Sequence, residues 1–472
     1  MSGILTTAMS GLMASQRSLD TTGHNIANVN TIGYSRQRVE FSTNPAQFTG
    51  DGYIGQGVNV ASVSRSYDQF ITNQLTSSTS AFAETDTLST LASQVDNITA
   101  NEATGLSPAL KSFFNAVNGV ANDPTSIPAR EVMISTAGSL TQQFNGLSSQ
   151  FEDLRKQTNN QMQTSVDDIN SYAKTIATLN GQIVTDSSRT SNGQLPNDLL
   201  DQRDALVNKI AEKINVSTIQ QPDGSLSVFI GQGQSLVLGS NAANLSLEAS
   251  KTDSSRQNII MGGQDISKQI SGGELSGALK FRDEVLDPAQ QQLDFLAAGF
   301  VVEFNKMHKT GFDLKGAQGK DMFDFGDMPA PVSTAPIDAA KNIKVVTEFI
   351  TDPSLIAAAD KTGEPGNNKI ALNLANLEKE SVLFGDGSKA TFNGAYSQLV
   401  AKVGSTTHSA KISNSAQEAL LNQAKQTQEN LAGVNLDEEA ANLIKFQQSY
   451  QAAAKVIAIA SSLFDTLMGA VS

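Results

Sequence analysis

The chain lacks cysteine and tryptophan, and histidine occurs only three times in 472 residues. Without cysteine it can form neither a disulfide nor a thiolate-ligated metal centre. The histidines are His24, His308 and His408, and none has a second His, or a carboxylate three or four residues further on, to make a credible metal site. Because an enzyme needs a converging set of catalytic groups, the sequence predicts a non-enzymatic protein with no catalytic, cofactor or metal site.

Charge and aromatic side chains are also scarce, since charged residues make up 17% of the chain and aromatic residues 6%. Such a composition favours long helices with small, polar seams over one large core. The net charge of −14 argues against nucleic acid or an anionic membrane as a partner. No run of residues reaches the ~18–20 apolar positions of a membrane span, so no membrane insertion is expected.

A cleavable export signal is absent as well. The first basic residue is Arg17, and no apolar stretch follows it. We therefore expect a cytosolic protein, or one exported by a route that leaves its N-terminus intact.

One glycine-rich stretch matches a nucleotide-binding pattern. GDGYIG, at residues 50–55, fits the dinucleotide-binding pattern G-x-G-x-x-G. That pattern binds phosphate only where a strand precedes it and a helix begins on it. Here a strand-like alternation of Val58, Val60 and Val63 follows instead. We therefore interpret the glycines as turn residues.

Both ends of the chain carry a narrow apolar seam in alternating steps of three and four, the spacing of a coiled coil. The N-terminal seam consists of Leu5, Ala8, Leu12, Ser15, Leu19, Thr22 and Ile26. The C-terminal seam includes Leu443, Tyr450, Ala454, Ile457, Ser461, Phe464 and Met468. We predict that the two seams pair, with Leu5, Leu12, Leu19 and Ile26 facing Leu443, Tyr450, Ile457 and Phe464.

Charged clusters have ordinary structural explanations. Asp437, Glu438 and Glu439 follow Asn435, where a capping box and the helix dipole favour acidic residues. Asp198, Asp201, Arg203 and Asp204 are expected to form ion pairs within or between helices. The asparagine-rich segment 25–30 is either a helix end with a turn or a packing element between copies of the protein.

The predicted fold is mainly α with β insertions, an elongated chain of several domains. Helical periodicity covers residues 66–99, 128–186, 274–308 and 413–431, with a kink or boundary at Pro288, and β-like alternation covers 215–268 and VVTEF at 345–349. Residues 1–65 plus 437–472 form a terminal coiled coil. Residues 66–310 plus 373–436 form a long-helix bundle that holds the β segment, and residues 311–372 form a small β-rich outer insert.

Specific motifs then suggest a family. SGLMASQRSLDTTGHNIANVNTIGYSRQRVEF and GVNLDEEAANLIKFQQSYQAAAKVIAIASSLFDTLMGAV resemble the two terminal signatures of the bacterial flagellar axial proteins. Within that superfamily, NDLLDQRDALVNKI and the long helices before it resemble the hook-associated protein 1 family. The likeness is strong at both ends, good over 66–310 and weak over 311–400.

The resemblance implies a structural subunit that joins flagellar hook to filament and is exported without a cleaved signal to the extracellular flagellum. It implies a ring of copies, contacts with the hook protein and a second hook-associated junction protein, and terminal helices that line an inner channel. It also implies a cytoplasmic export chaperone on the C-terminal face with Leu443, Tyr450, Ile457, Phe464 and Met468. Finally, it places Asn28, Asn30, Gly33 and Tyr34 at a joint between the inner helix and neighbouring subunits.

Two rival functions remain open at this stage. One is a hook or distal rod subunit, which would share the terminal signatures. The other is a secreted adhesin or enzyme built on axial termini, for which residues 311–372 are the available place.

Overall fold

The computed structural model describes residues 2–48, 50, 52–101, 105–189, 194–251, 253–326 and 338–471. Helices dominate this part of the chain, which confirms the predicted fold class. The helices are α1 (Ser2–Ala27), α2 (Gln69–Thr99), α3 (Leu106–Asn122), α4 (Ile127–Arg189), α5 (Asn197–Lys213), α6 (Gly273–Lys280), α7 (Asp287–His308), α8 (Ala339–Asn342), α9 (Thr347–Thr351), α10 (Lys369–Asn376), α11 (Phe392–Ala432) and α12 (Leu436–Val471).

The strands form small antiparallel sheets. They are β1 (Gln37–Thr43), β2 (Gln47–Phe48), β3 (Tyr53–Ile54), β4 (Val58–Arg65), β5 (Val216–Gln220), β6 (Leu226–Ile230), β7 (Gln234–Leu238), β8 (Asn241–Ala242), β9 (Leu245–Ala249), β10 (Gln257–Met261), β11 (Gln264–Asp265), β12 (Phe323–Asp324), β13 (Lys344–Val345), β14 (Val382–Leu383) and β15 (Lys389–Ala390). The sheet orders are β1-β4, β2-β3, β5-β6-β7-β8, β11-β10-β9, β12-β13 and β14-β15.

Helix α4 is the longest element and has 63 residues, which at ~1.5 Å per residue gives a length of about 95 Å. Its sequence contains no proline after Pro128 to interrupt the hydrogen-bond ladder. The sequence repeats side chains in steps of three and four along this helix, from Leu140 to Ile183, and most of them are buried. Gln161 and Tyr172 fall on the same repeat but are only half-buried, and the neighbouring Met162 and Ala173 are buried instead.

A phenylalanine-rich core lies around the N-terminal half of α4. Phe113 and Phe323 pack edge-to-face or tilted against each other and against Phe300 and Phe304, with ring centroids 5.0–5.8 Å apart, a geometry that aromatic quadrupoles favour. Residues 311–326 and 338–372 contribute side chains to this same core. In the described residues, the predicted outer insert therefore shares a core with α3, α4 and α7.

Two buried titratable groups fix the connections around this core. His308 Nδ1 donates to the Lys320 carbonyl at 2.6 Å, and its Nε2 accepts from the Ala357 amide at 2.9 Å. Burial lowers the pKa of His308 to about 4, so the ring is neutral. Asp294 accepts a 2.8 Å hydrogen bond from the Ala340 amide, and burial raises the pKa of Asp294 to about 6.

A second core surrounds the C-terminal half of α4. Strands β6 and β7 bury Val228, Ile230, Leu236 and Val237 against α4, α5 and α6. The β pattern predicted for 215–268 is thus confirmed in position, and its strands cover one side of the long helix.

The helical segment that begins at Gly273 changes its hydrogen-bond pattern shortly before Pro288. A π-helical turn, Phe281–Leu286, separates α6 from α7, and Pro288 lies in the first turn of α7. The backbone stays helical through this point, and the wider π-helical turn, in which the Asp287 amide donates to the Arg282 carbonyl, accommodates the amide proton that Pro288 lacks. The boundary predicted at Pro288 is confirmed.

Two sequence-based assignments were wrong. VVTEF begins in β13 but continues as α9, since Val346 precedes the helical segment Thr347–Thr351. Helix α11 begins at Phe392, far before residue 413, because Thr391 caps it by accepting a hydrogen bond from the Gly394 amide. The helix then runs antiparallel to α2, where Thr407 Oγ1 donates to the Ala92 carbonyl.

The ends of the chain form a separate layer, which we call the terminal unit: α1, the β1–β4 ribbon with its β2–β3 hairpin, and α12. Helix α1 packs on α12 and on the ribbon. Neither of the two apolar cores contains a side chain from these elements. The terminal unit must therefore be held to the body of the protein by other contacts.

Candidate functional site

Helices α1 and α12 lie antiparallel. Asn25 Nδ2 donates to Glu439 Oε2 at 3.2 Å near one end, and a Cβ built on Gly11 would lie 4.0 Å from Cβ of Ala453 further along. The residues of α1 that are buried are mostly small: Ala8, Ala14, Ser15, Ser18, Thr22 and Asn25. Small residues let two helix backbones approach closely, so larger side chains are displaced to the flanks of the contact.

The predicted seam residues occupy those flanks. In α1, Leu12, Leu19 and Ile26 are half-buried, and Leu5 is exposed. In α12, Tyr450 and Ile457 are half-buried. Leu443, Phe464 and Met468 are exposed in the single chain, and their roles in an assembly stay predictions.

The turn after α1 is organised by Asn25. Its Oδ1 accepts from Tyr34 Oη at 2.7 Å and from the Gln37 amide at 2.9 Å. Burial, with Asp198 and Asp201 nearby, raises the pKa of Tyr34, so its hydroxyl keeps the proton that it donates. This asparagine therefore joins the end of α1 to the start of β1.

The other predicted turn residues differ in exposure. Asn28 Nδ2 donates to the His24 carbonyl at 3.0 Å, while Asn30 is exposed. Gly33 has φ +81°, and a Cβ there would lie 3.0 Å from Cβ of Ala205 in α5. Glycine is favoured at this position because it adopts positive φ and allows the turn to touch α5.

Arg36 binds the start of α12. Its Nε donates to Glu439 Oε1 and its Nη2 to Glu438 Oε1, each at 2.6 Å. The Arg36 amide also donates to the Ala432 carbonyl at 2.9 Å, at the end of α11. The side chains of Arg36 and Glu439 are 7% and 2% exposed, so this pair is buried. One arginine thus fixes the chain around the α11–α12 connection.

Asn435 caps α12, and its Oδ1 accepts from the Asp437 amide at 2.9 Å. The reciprocal half of the predicted capping box is replaced, because Glu438 binds Arg36. The hydrogen bond from Arg36 lowers the pKa of Glu438.

Helix α5 supplies the acidic side of the contact between terminal unit and body. Asp201 Oδ2 accepts from the Ser35 amide and Oδ1 from Arg65 Nη1, both at 2.8 Å. Arg65 also pairs with Asp204 at 2.7 Å. Burial raises the pKa of Asp201, and the bonds from Ser35 and Arg65 oppose that shift. Ion pairs within or between helices were predicted for these carboxylates; those to Arg65 instead link α5 to strand β4.

We call this set of contacts the polar joint: Asn25, Tyr34, Ser35, Arg36, Arg65, Asp201, Asp204, Glu438 and Glu439. It brings together three segments that lie far apart in sequence. Its chemistry is hydrogen bonding and ion pairing, which fixes geometry and carries no reactive group.

Other candidate chemistry is not supported in the described residues. GDGYIG lies around the β2–β3 hairpin and is followed by β4, so no helix begins on it as a nucleotide site requires. No cluster of three or more His, Asp or Glu in the described part of the chain is placed to hold a metal.

The helical stretch Phe392–Ala470, which holds α11 and α12, contains an 18-residue window with a mean hydropathy of 1.4 and no buried residue. Length and composition alone therefore allow a membrane span where the sequence analysis expected none. A helix that keeps an apolar face for another protein gives the same signal.

Known proteins share both sequence and architecture with this chain. The model of the flagellar hook-associated protein FlgK helical domain matches residues 92–323. Flagellar hook-associated protein 1 of Salmonella typhimurium is 31% identical over 555 residues, covering 99% of this chain and 100% of the relative. The chain belongs to the hook-associated protein 1 family. It is therefore a structural subunit of the bacterial flagellum, as the terminal signatures suggested.

Further relatives agree with membership of the hook-associated protein 1 family. The Bacillus subtilis protein of the same name is 28% identical over 501 residues, covering 98% of this chain and 97% of the relative. The structure of the flagellar hook junction protein FlgK from Burkholderia pseudomallei has a TM-score of 0.69 and 21% identity, covering 76% of this chain and all of that one. That likeness shows a shared fold.

Two further family models describe the ends that the polar joint connects. The flagella basal body rod protein model matches residues 5–34, and the flagellar basal body rod FlgEFG protein C-terminal model matches 427–470. In the structure, these segments meet through Asn25 and Glu439.

Sequence reasoning missed the partners of Arg36. Glu438 and Glu439 were assigned to a helix cap, and Asp201 to ion pairs on helices. The general rule that a buried basic residue requires an acidic partner applies here, but the sequence does not show that Arg36 is buried, since Arg38 and Glu40 stand beside it. Sequence spacing could not identify that partner some 400 positions away.

Proposed function

We propose that copies of this chain assemble side by side as a ring between the flagellar hook and the filament, through the terminal unit and the adjoining helical body. The observation that carries this proposal is a set of large apolar side chains left exposed on the α1–α12 pair. They are Ile4, Leu5, Met9, Met13, Ile444, Val456, Ile459, Leu463, Phe464 and Met468.

Exposed apolar surface of this extent favours association with another protein. On α1, Leu5, Met9 and Met13 recur every four residues and so form one stripe. On α12, Val456, Ile459 and Leu463 form a second stripe. One helix pair thus offers apolar surface beyond its own contact, as a subunit packed between neighbours would.

The charge distribution supports contact between identical copies. The chain has 33 basic and 47 acidic residues, of which six basic and seven acidic lie in 1–65 and 436–472. All but one unit of the net charge of −14 therefore lies between these segments. Two copies repel least where their surfaces are nearly neutral.

We further propose the partners and route implied by the family resemblance. These are the hook protein on one side, a second hook-associated junction protein on the other, and a cytoplasmic chaperone on the apolar face of α12 during export without a cleaved signal. The mature protein is extracellular and acts by binding, without catalysis. Of the predicted domain boundaries, the proposal uses the division between residues 1–65 plus 437–472 and the helical body. Residues 311–372 enter it as part of that body, because the described ones share its phenylalanine-rich core.

The test uses Ile459→Asp in cells that lack the native copy. Ile459 is 53% exposed, so a charge there leaves the isolated chain folded but places a carboxylate in the proposed contact between copies. We expect the variant to be absent from the hook tip in immunogold electron microscopy, and the cells to lack filaments.

Leu383→Asp is the matched control, since Leu383 is also exposed but lies on β14, outside the terminal unit. Cells with this control should swim. Normal filaments in cells that carry Ile459→Asp would contradict the proposal.

A further inference from the structure

The β2–β3 hairpin carries large apolar side chains that stay exposed among the residues that the structure describes. Phe48, Tyr53 and Ile54 are 61%, 78% and 56% exposed. The rings of Phe48 and Tyr53 lie against each other, with centroids 5.4 Å apart. We call these three side chains the hairpin tip. Phe48 and Tyr53 pair directly across the hairpin on one face, and Ile54 lies on the other face because successive strand residues alternate. Exposed apolar side chains of this size offer a surface for docking.

The ribbon below the hairpin tip has a fixed position along α1. Gln37, at the start of β1, binds Asn25 near the end of α1. The amide of Val58, at the start of β4, binds Ser10 Oγ at 3.2 Å. Gly57 has φ +85°, and a Cβ there would lie 2.2 Å from Ser10 Oγ, so only glycine fits this approach. The ribbon therefore runs back along α1, and the hairpin continues from the level of Ser10.

A second unpartnered surface lies at the end of α12. The antiparallel register that places Gly11 opposite Ala453 places Ser2, the first residue of α1, opposite position 462. Leu463, Phe464 and Met468 lie at or beyond this point and are 56%, 52% and 55% exposed. We call these three side chains the α12 end.

The hairpin tip and the α12 end both belong to the terminal unit, yet both stay exposed in one chain. They therefore do not cover each other within a single copy. A contact between two copies can bring them together. A surface that binds a different surface on an identical neighbour gives a head-to-tail contact, and such contacts form a ring where the rotation from copy to copy closes.

We propose that the hairpin tip of one copy packs on the α12 end of the neighbouring copy. This inference rests on the ring proposed above and names the two surfaces that meet in it. The occupant is a second copy, because the segments that carry both surfaces are nearly neutral within an acidic chain, so copies approach each other here with little repulsion.

The absence of native cysteine makes a direct cross-linking test possible. Tyr53→Cys and Phe464→Cys are expressed as two differently tagged chains in one cell, and isolated hook–filament junctions are treated with a short bis-maleimide. We expect a cross-linked dimer that contains both tags. With both substitutions in one chain we expect a ladder of higher multimers, because a head-to-tail contact repeats around a ring.

Tyr53→Cys paired with Leu383→Cys is the control and should give no dimer, since Leu383 is exposed outside the terminal unit. Ile54→Cys with Met468→Cys serves as a second pair, in case either first substitution prevents incorporation. Junctions that contain the tagged chains but give no dimer with either pair would overturn this inference and leave the ring proposal intact.

Two further outcomes are informative. Cross-linking within the dilute monomer of the doubly substituted chain would also overturn the inference, because the two surfaces would then meet inside one copy. If labelling finds neither the tagged chains nor, in parallel cells, the native chain at the hook–filament junction, the proposed function itself fails. Immunogold labelling of the same preparations separates this result from the others.

Discussion

The polar joint makes a quantitative prediction for Arg36→Leu. In the native chain Glu439 is 2% exposed and faces the Arg36 guanidinium at 2.6 Å. The substitution removes that cation and leaves a buried carboxylate whose remaining side-chain partner among the described residues is the amide of Asn25. Breaking a buried ion pair in this way costs about 3–5 kcal/mol. Because no apolar core spans the joint, this loss falls on the terminal unit.

Hydrogen–deuterium exchange on the isolated chain measures that loss. At about 1.4 kcal/mol per tenfold change, amides of α1 and α12 should exchange roughly two to four orders of magnitude faster, or become unprotected. Amides in the middle of α4 should keep their native rates, since their protection depends on the two apolar cores. Equal acceleration in α4 would show that the terminal unit does not open independently.

Two companion variants test the physical reason. Glu439→Leu should cost less than Arg36→Leu, because Arg36 retains Glu438, which is 53% exposed and stays hydrated. The double variant Arg36→Leu/Glu439→Leu should recover much of the loss, since an apolar pair of similar volume carries no unpaired buried charge. Additive losses in the double variant, or no change in Arg36→Leu, would refute the reasoning.

Two further predictions concern the helix pair and the phenylalanine-rich core. Gly11→Cys/Ala453→Cys should oxidise to a disulfide within one chain, because their Cβ separation of 4.0 Å suits a disulfide; a non-reducing gel with only linked dimers would contradict the pairing. Asp294→Asn should make stability fall more steeply between pH 6.5 and 4. Unfolded His308 binds a proton in that range that the folded form with pKa about 4 does not, so acid destabilises. As the pH falls, folded Asp294 gains its proton near pH 6, before the unfolded form does, and this opposes the loss of stability by roughly 2–3 kcal/mol. The free energy of unfolding is measured by urea denaturation at each pH, and an equal pH dependence for the variant and the native chain would exclude this effect.

Elements with strong periodicity were predictable from sequence alone. Helix α4 repeats its apolar positions over its whole length, and local periodicity is sufficient to assign such a helix. Helix α11 was placed too late because Gly394, Gly404 and the run 405–407 of serine and threonine lower the helix propensity of its N-terminal half. A seam in steps of three and four is nevertheless buried there: Phe392, Tyr396, Leu399, Val403, Thr407 and Ala410. In VVTEF, β-branched residues favoured a strand, while the helix at Thr347–Thr351 is set by tertiary packing of Phe349.

In the candidate site, too, some contacts were predictable from the sequence and others were not. The pairing of the chain ends was predictable, because both seams have the same spacing. The buried residues in that pairing are small, since close helix approach selects alanine and serine, and a search for large apolar residues finds the flanks instead. The polar joint depends on contacts such as Arg36 with Glu439, which no local pattern encodes.

The uninterrupted course of α4 has a mechanical consequence. The helix passes through the phenylalanine-rich core and then the β-covered core without a break. Bending or twisting between the two cores would require opening backbone hydrogen bonds within this one helix, so the cores resist rotation relative to each other. A torque applied to one core is therefore transmitted to the other, which suits a subunit placed between the rotating hook and the filament.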